Sequence, residues 1–166
     1  MNTENEETEL IAKEKLKQKE TMVEKMGVIF ENSGFTPMHG RVFAFLLLSE
    51  PPYQDFYSIQ EFLKASKSAI STALKFLTDM KVVQYITFSG DRKRYFQVDV
   101  EGWFEQTTAQ LEIVETIAEL TQDVLDNRSE SKHLEFNEKL EQMVKFNSQL
   151  NIALKQFIQE WKKTNM

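Results

Sequence analysis

The run Ser66-Lys67-Ser68-Ala69-Ile70-Ser71-Thr72-Ala73-Leu74-Lys75-Phe76-Leu77 carries two different faces in one helix-sized stretch. Ile70, Ala73, Leu74, Leu77 and, one turn on, Met80 recur at three- and four-residue spacing, which lines apolar side chains along one side of a helix. Lys67, Ser68, Ser71, Thr72 and Lys75 fall on the opposite side, and Ser66 is placed to cap the first turn. A merely solvated helix face would account for these polar residues, but the clustering of so many short hydroxyls between two lysines favours a surface that touches something.

Working upstream, Ser58-Ile59-Gln60-Glu61 fits a capping box and predicts a short helix from about Ile59 to Lys64. Before it, Pro51-Pro52 ends a helix running from Pro37 to about Ser49, introduced by Thr36 as N-cap with Pro at the first helical position. Val42, Phe43, Phe45, Leu46, Leu47 and Leu48 make that helix apolar nearly all round, so it belongs inside the domain. Ser33-Gly34 closes a still earlier helix, from about Glu6 to Asn32, with apolar positions at Leu10, Met22, Val23, Met26, Ile29 and Phe30.

Downstream, the period changes from helical to alternating through Val82, Val83, Tyr85 and Thr87; Ser89-Gly90-Asp91 supplies a turn, and Arg94, Phe96 and Val98 lead back. The result is a β-hairpin with Arg92, Lys93 and Arg94 at its tip. After Asp99 a helix carries Trp103, Leu111, Val114, Ile117, Ala118, Thr121, Val124 and Leu125 in a stripe, and Asn127 to Ser131 reads as a polar loop. The last helix, about Lys132 to Lys163, places Phe136, Leu140, Met143, Asn147, Leu150, Leu154, Phe157 and Trp161 at alternating steps of four and three. That is the seam of a coiled coil or bundle, with Asn147 as a polar residue able to set its register.

These elements define a mainly α chain with a small β-hairpin wing, a winged helix-turn-helix over residues 34–100. Residues 1–33 form an N-terminal helix and residues 101–166 a C-terminal helical region, both assigned to dimerisation. The last helix is too long, and too apolar on one face, to be covered by so small a domain.

With 166 residues, 41% hydrophobic and 28% charged, the chain is ordinary for a globular protein. It has no cysteine, so disulfides and thiolate metal sites are excluded. The N-terminus is acidic where a signal peptide is basic, and no apolar run reaches the ~20 residues of a membrane span, so a cytoplasmic location without a membrane partner is expected. His39 and His133 stand in no ligand-spaced cluster. A Gly-rich phosphate loop, a nucleophile elbow and a paired acid and base are all missing, so neither an enzyme nor a cofactor is expected.

The formal charge of -6 argues against a nucleic-acid partner until its distribution is read. Between Ser58 and Val98, Lys64, Lys67, Lys75, Lys81, Arg92, Lys93 and Arg94 face only Glu61, Asp79 and Asp91, a net +4 that leaves -10 for the remainder. Two short helices, a tight turn and a basic hairpin are the parts that reading duplex DNA requires.

The Ser66–Leu77 run, followed by Gly90-Asp91-Arg92-Lys93-Arg94-Tyr95-Phe96, resembles the MarR superfamily and within it the GbsR-type branch. Gly34-Phe35-Thr36-Pro37-Met38-His39-Gly40-Arg41-Val42-Phe43 and Asp99-Val100-Glu101-Gly102-Trp103 share that resemblance, which extends from about Gly34 to Trp103. It implies a homodimeric regulator of transcription, a repressor in the first instance, on a palindromic double-stranded DNA operator. It implies base and phosphate contacts from Lys67, Ser68, Ser71, Thr72 and Lys75, and wing contacts from Arg92, Lys93 and Arg94. Arg92 would enter the minor groove while Asp91 supports the wing. The resemblance also implies a small effector, with choline as one example. Among Tyr53, Phe56, Tyr57, Trp103, Phe104 and Trp161, the candidate pocket residues are Trp103, Phe104 and Tyr53, although ordinary core packing explains these rings as well.

The chain departs from the family at Lys81, where glycine usually closes the recognition helix. A non-glycine residue in a left-handed cap costs on the order of 1 kcal/mol, which favours another way of ending the helix. The other function compatible with these features is a dimeric protein-interaction module that uses the winged scaffold without DNA.

Overall fold

The computed structural model describes residues 3–32, 34–128, 130 and 132–165, with only the backbone at 3–6 and 110–112. In chain order the elements are α1 (Thr3–Asn32), α2 (Pro37–Leu47), β1 (Gln54–Asp55), α3 (Phe56–Leu63), α4 (Lys67–Asp79), β2 (Val83–Ile86), β3 (Tyr95–Val98), α5 (Val100–Asp126) and α6 (Leu134–Asn165). Ser33, expected at the end of the first helix, and Ser129 and Ser131 of the expected polar loop lie outside the described residues, as does the side chain of Leu111. Helices dominate, with one antiparallel sheet of order β1-β3-β2, and the arrangement is a winged helix-turn-helix. None of the described helices is long and apolar enough to cross a membrane. The chain divides into two compact units, one ending at Trp103 and the other beginning at Phe104.

In the first unit, α2 lies at the centre because its apolar residues cover nearly its whole circumference. Val42, Phe43, Ala44, Phe45 and Leu46 are buried together with Val23 of α1, Ile59 of α3, Ile70, Ala73, Leu74 and Leu77 of α4, and Val82 and Val83 at the wing base. Each fully buried large aliphatic chain contributes about 1.5–3 kcal/mol by leaving water. Thr36 caps α2 by accepting from the His39 N–H at 3.4 Å. His39 itself is buried and stacks on Phe76 of α4, ring centroids 4.1 Å apart. Burial holds its pKa below the ordinary histidine value, and its Nδ1 has no partner among the described residues.

The crossing of α1 and α2 is set by two glycines. A Cβ on Gly40 would stand 2.9 Å from the Gly27 carbonyl oxygen and 3.0 Å from Phe30 Cβ. The helices therefore meet backbone to backbone, and Arg41 fastens the crossing from outside through Nε and Nη2 to the Glu24 carboxylate, 2.8–2.9 Å.

Three boundaries differ from expectation. The first helix of the helix-turn-helix begins at Phe56, capped by Asp55, not at Ile59 capped by Ser58; Asp55 Oδ1 accepts from the N–H groups of Tyr57 (2.8 Å) and Ser58 (3.0 Å). Asp is among the best N-cap residues, so the earlier start wins over the Ser58 pattern. The helix α2 stops at Leu47, with the Ser49 hydroxyl folding back onto the Phe45 carbonyl oxygen at 2.6 Å. Finally, Lys81 does take the left-handed conformation, φ 57°, at the close of α4.

The cost at Lys81 is offset locally. Its N–H donates to the Thr78 carbonyl oxygen at 2.9 Å and the Val82 N–H to that of Leu77 at 3.1 Å, satisfying acceptors at the helix end. The Lys81 carbonyl then packs on the first turn of α5, where Asp99 Oδ1 accepts from the Gly102 N–H at 2.9 Å. A Cβ at Gly102 would run into the Lys81 carbonyl oxygen, so only glycine fits there.

The second unit is an antiparallel pair, α5 from Phe104 onward against α6. Ala118 and Asn151 are buried between the helices, and Lys155 reaches the Glu115 carboxylate at 2.6–2.7 Å. Of the expected seam, Leu140, Asn147, Leu150 and Leu154 are half-buried, whereas Phe136, Met143, Phe157 and Trp161 are exposed. The polar residue enclosed by the pair is Asn151 rather than Asn147.

Gly102→Ala is expected to lower stability by about 2–3 kcal/mol, since backbone must move to admit the methyl group. Lys81→Gly, which relieves the left-handed strain beside it, is expected to raise stability by roughly 0.5–1 kcal/mol. Urea denaturation monitored by circular dichroism checks both signs.

Candidate nucleic-acid interface

The helix α4 presents its two faces as its periodicity dictates. Ile70, Ala73, Leu74 and Leu77 are buried, and Lys67, Ser68, Ser71, Thr72 and Lys75 are all exposed. Ser66 caps the helix by accepting from the Ala69 N–H at 3.2 Å, and its hydroxyl also lies 3.1 Å from that of Ser68. Ser68 is thereby oriented by the cap, while Ser71, Thr72 and the two lysines project from a helix that the core holds in place. The turn from α3 to α4 is tight: Lys64 takes φ 50°, and the N–H of Ala65 returns to the Gln60 carbonyl oxygen at 3.3 Å.

The wing strands β2 and β3 pair from Val83↔Val98 to Ile86↔Tyr95, and β1 joins the other edge of β3 through Gln54↔Phe96 and Asp55↔Tyr95. Residues 87–94 form the loop between β2 and β3, and Arg94 lies just outside the strand. The three wing cations occupy different environments. Lys93 Nζ is 2.6 Å from Asp55 Oδ2, a pair in which the carboxylate is largely buried and the ammonium half-exposed. Arg94 lies over the Tyr85 ring, 5.0 Å from its centroid. Arg92 is exposed and has no side-chain partner among the described residues.

Asp91 ties the loop to itself. Its Oδ1 accepts from the Lys93 N–H at 2.9 Å and its Oδ2 from the Tyr95 hydroxyl at 2.7 Å. Those two hydrogen bonds, the backbone one first, hold the Asp91 carboxyl below the ordinary carboxylate value. Donating to Asp91 keeps the Tyr95 phenol above its own ordinary value. For Asp55, burial pushes the carboxyl upward, but the Lys93 hydrogen bond, the Ser58 and Tyr57 N–H groups and the Lys93 charge together outweigh it and hold it below the ordinary value. Lys93 is raised by the same hydrogen bond and charge.

Asp55 is the residue that sequence reasoning passed over. An Asp three residues before Ser58 was a visible capping signal, but its second partner lies 38 positions away and leaves no local trace. Of the rings considered for an effector, Tyr53 packs with Phe88 and Tyr95 at centroid distances of 5.0 and 5.5 Å beside the wing. Phe56 meets Tyr57 edge-on at 5.8 Å, and Trp103 stands partly exposed in the first turn of α5. In the second unit Phe104 lies 6.4 Å from Trp161, which in turn is 6.3 Å from Phe157.

No family model matches the chain. It is 31% identical over 104 residues to the HTH-type transcriptional regulator MmpR5 of Mycobacterium tuberculosis, a match that covers 63% of this chain. The chain spans 61% of the length of that curated relative. Its fold matches the crystal structure of a transcriptional regulator with a TM-score of 0.67 at 20% identity, covering 88% of this chain and 99% of the other. A point mutant of Staphylococcus aureus MepR bound to an oligodeoxyribonucleotide gives a TM-score of 0.41 at 18% identity over 90% of this chain and 99% of the other. The first two of these proteins are regulators of transcription, not enzymes.

Asp55→Asn keeps the capping oxygen but removes the charge, and is expected to cost about 1 kcal/mol, a figure limited by the solvent around Lys93. Asp55→Ala loses the cap as well and is expected to cost about 2 kcal/mol. The advantage of Asp55 over Asn should be complete above the ordinary carboxylate value of about 4 and vanish as pH falls through the lower folded value. Chemical denaturation of both variants and the parent from neutral pH into acid measures this.

Proposed function

We propose that the chain regulates transcription by binding duplex DNA as a homodimer, with α4 in the major groove and the wing against the adjacent minor groove. The observation that carries this reading is the exposed row Lys67, Ser68, Ser71, Thr72 and Lys75 on a helix whose opposite side is locked into the core. Lysines at the ends of such a row suit phosphates or guanine edges, and short hydroxyls between them allow close approach to base edges. Arg92 is the wing cation left for the minor groove, supported by Asp91, with Arg94 steadied on Tyr85. Lys93 contributes first to holding the wing, through Asp55.

A second copy is supported by apolar surface left uncovered. In the second unit Ile113, Ile117, Leu120 and Val124 of α5 and Phe136, Phe146, Ile152, Phe157 and Trp161 of α6 are exposed, more than an isolated pair of helices normally shows to water. In α1 the exposed set includes Leu10, Ile11, Leu16, Val28 and Ile29. A two-fold protein of this kind places two recognition helices about 34 Å apart on a palindromic operator. Repression follows where that operator overlaps a promoter. The reading extends to the GbsR-type branch, to action in the cytoplasm and to control by a small effector. A quaternary ammonium such as choline is the class to test first, given the aromatic faces of Phe104, Trp161 and Phe157.

Genomic fragments selected on the purified protein supply an operator for titration by fluorescence anisotropy. Affinity is expected to fall steeply with salt, and Lys67→Ala with Lys75→Ala to lower the log–log slope by about 2. Sedimentation should give a dimer for the parent and a monomer for Phe157→Glu combined with Trp161→Glu. Binding that ignores salt and survives Arg92→Ala with Lys75→Ala would replace this reading by a protein-interaction module.

A further inference from the structure

The antiparallel pair α5–α6 has two sides of opposite chemistry. Ile113, Ile117 and Leu120 of α5 and Phe136, Met143 and Phe146 of α6 are exposed apolar rows. Two residues out of step with them run Glu115, Glu119 and Gln122 on α5, and Glu138, Glu141 and Ser148 on α6. Two residues are about 200° of helix, so these polar rows face away from the apolar ones. Together they line a groove made of two joined cavities of about 360 and 610 Å³, which share Gln122 and Val144.

Among the described residues five carboxylates line this groove, Glu115, Glu119, Asp126, Glu138 and Glu141, against one ammonium, that of Lys145, 3.9 Å from Glu141. Glu115 is met by Lys155 at 2.6–2.7 Å and Asp126 by the Gln122 amide at 2.8 Å. Glu119 and Glu138 have no ion-pair partner among the described residues. Between the carboxylates the lining is apolar, from Ala118, Val144 and Leu125.

The second sign of a ligand is Asn151, which lines the smaller cavity and is 7% exposed. Its amide group donates to the Glu115 carboxylate, whereas its Oδ1 meets no donor among the described residues. A buried acceptor without a donor is costly, and beside carboxylates it calls for a ligand that brings both N–H groups and positive charge. The carboxylates do not converge: no group of three that could hold a metal ion occurs among the described residues. From Glu119 to Asp126 is seven residues of helix, about 10 Å, which suits two ammonium groups on one aliphatic chain better than a compact ion.

We propose that this groove binds a linear aliphatic polyamine. One terminal ammonium meets Glu119 and the Asn151 Oδ1, the other meets Glu138 and Asp126, and the methylene segments lie along Ala118, Val144 and Leu125. The site is separate from the recognition helix and wing, and from the apolar side of the pair that a second copy would cover.

Isothermal titration calorimetry of the full chain with spermidine, at constant ionic strength, tests the site without DNA. Saturable binding of one ligand per chain is expected, and it should survive an equal charge concentration of Mg²⁺. Glu119→Gln with Glu138→Gln is expected to weaken binding at least about fivefold, whereas Glu14→Gln with Glu61→Gln, which removes the same charge outside the groove, should stay within about twofold of the parent. Asn151→Leu, of similar volume and checked for folding by circular dichroism, is expected to weaken it at least about threefold. Equal loss in the two Gln pairs, or displacement by Mg²⁺, reduces the interaction to charge screening and overturns the site. The absence of saturable binding in the millimolar range overturns it too, as does a folded Asn151→Leu with parental affinity; if Asn151→Leu unfolds, the two Gln pairs decide alone.

Discussion

One carboxylate, Asp55, receives donors from two directions, and the wing and the helix-turn-helix are joined through it. Toward its own helix it accepts from the N–H groups of Tyr57 and Ser58, starting α3; across the sheet it holds the ammonium of Lys93. Its backbone lies in register with Tyr95, so the same residue also fixes the third strand against β3. A two-stranded hairpin by itself is marginal in water, and the short β1 turns it into a sheet with a defined edge. Charge-assisted hydrogen bonds thus join the wing to the helix-turn-helix, and they act with more direction than the apolar contacts beneath them. Asp91 repeats the device at the far end of the loop, where it holds Tyr95 and the Lys93 backbone.

What could be read in the sequence was whatever is decided within one or two turns of chain. The faces of α4, its Ser66 cap, the Thr36-Pro37 start of α2 and the alternation of the wing strands depend on spacing and caps, and those signals are local. The strand β1 has two residues, too few to show a period, and its partner lies some forty positions on. At Lys81, propensity argued against the left-handed cap, but two backbone hydrogen bonds and the packing of its carbonyl on Gly102 outweigh that cost. The physical reason for Gly102 is a carbonyl twenty-one residues earlier, which leaves no local trace in the sequence. In α6 the polar residue buried within the pair is Asn151, one turn beyond Asn147 of the seven-residue pattern.

The helix α4 separates stability from contact along a single element. Its inward residues are fully committed to the core, and its outward ones touch little beyond the Ser66 and Ser68 hydroxyl pair. Outward substitutions are therefore free to change the chemistry of the exposed face without reaching the fold. The wing lacks that separation, because Lys93 carries charge outward and stability inward at once.

The Gly27–Gly40 crossing has a mechanical meaning. Helices that interlock through side chains can slide by rotamer changes, but where two backbones touch there is no compliant layer to absorb displacement. Force applied along the first half of α1 would then turn α2 and the core packed on it about that fulcrum, making the helix a lever arm and the paired glycines its pivot.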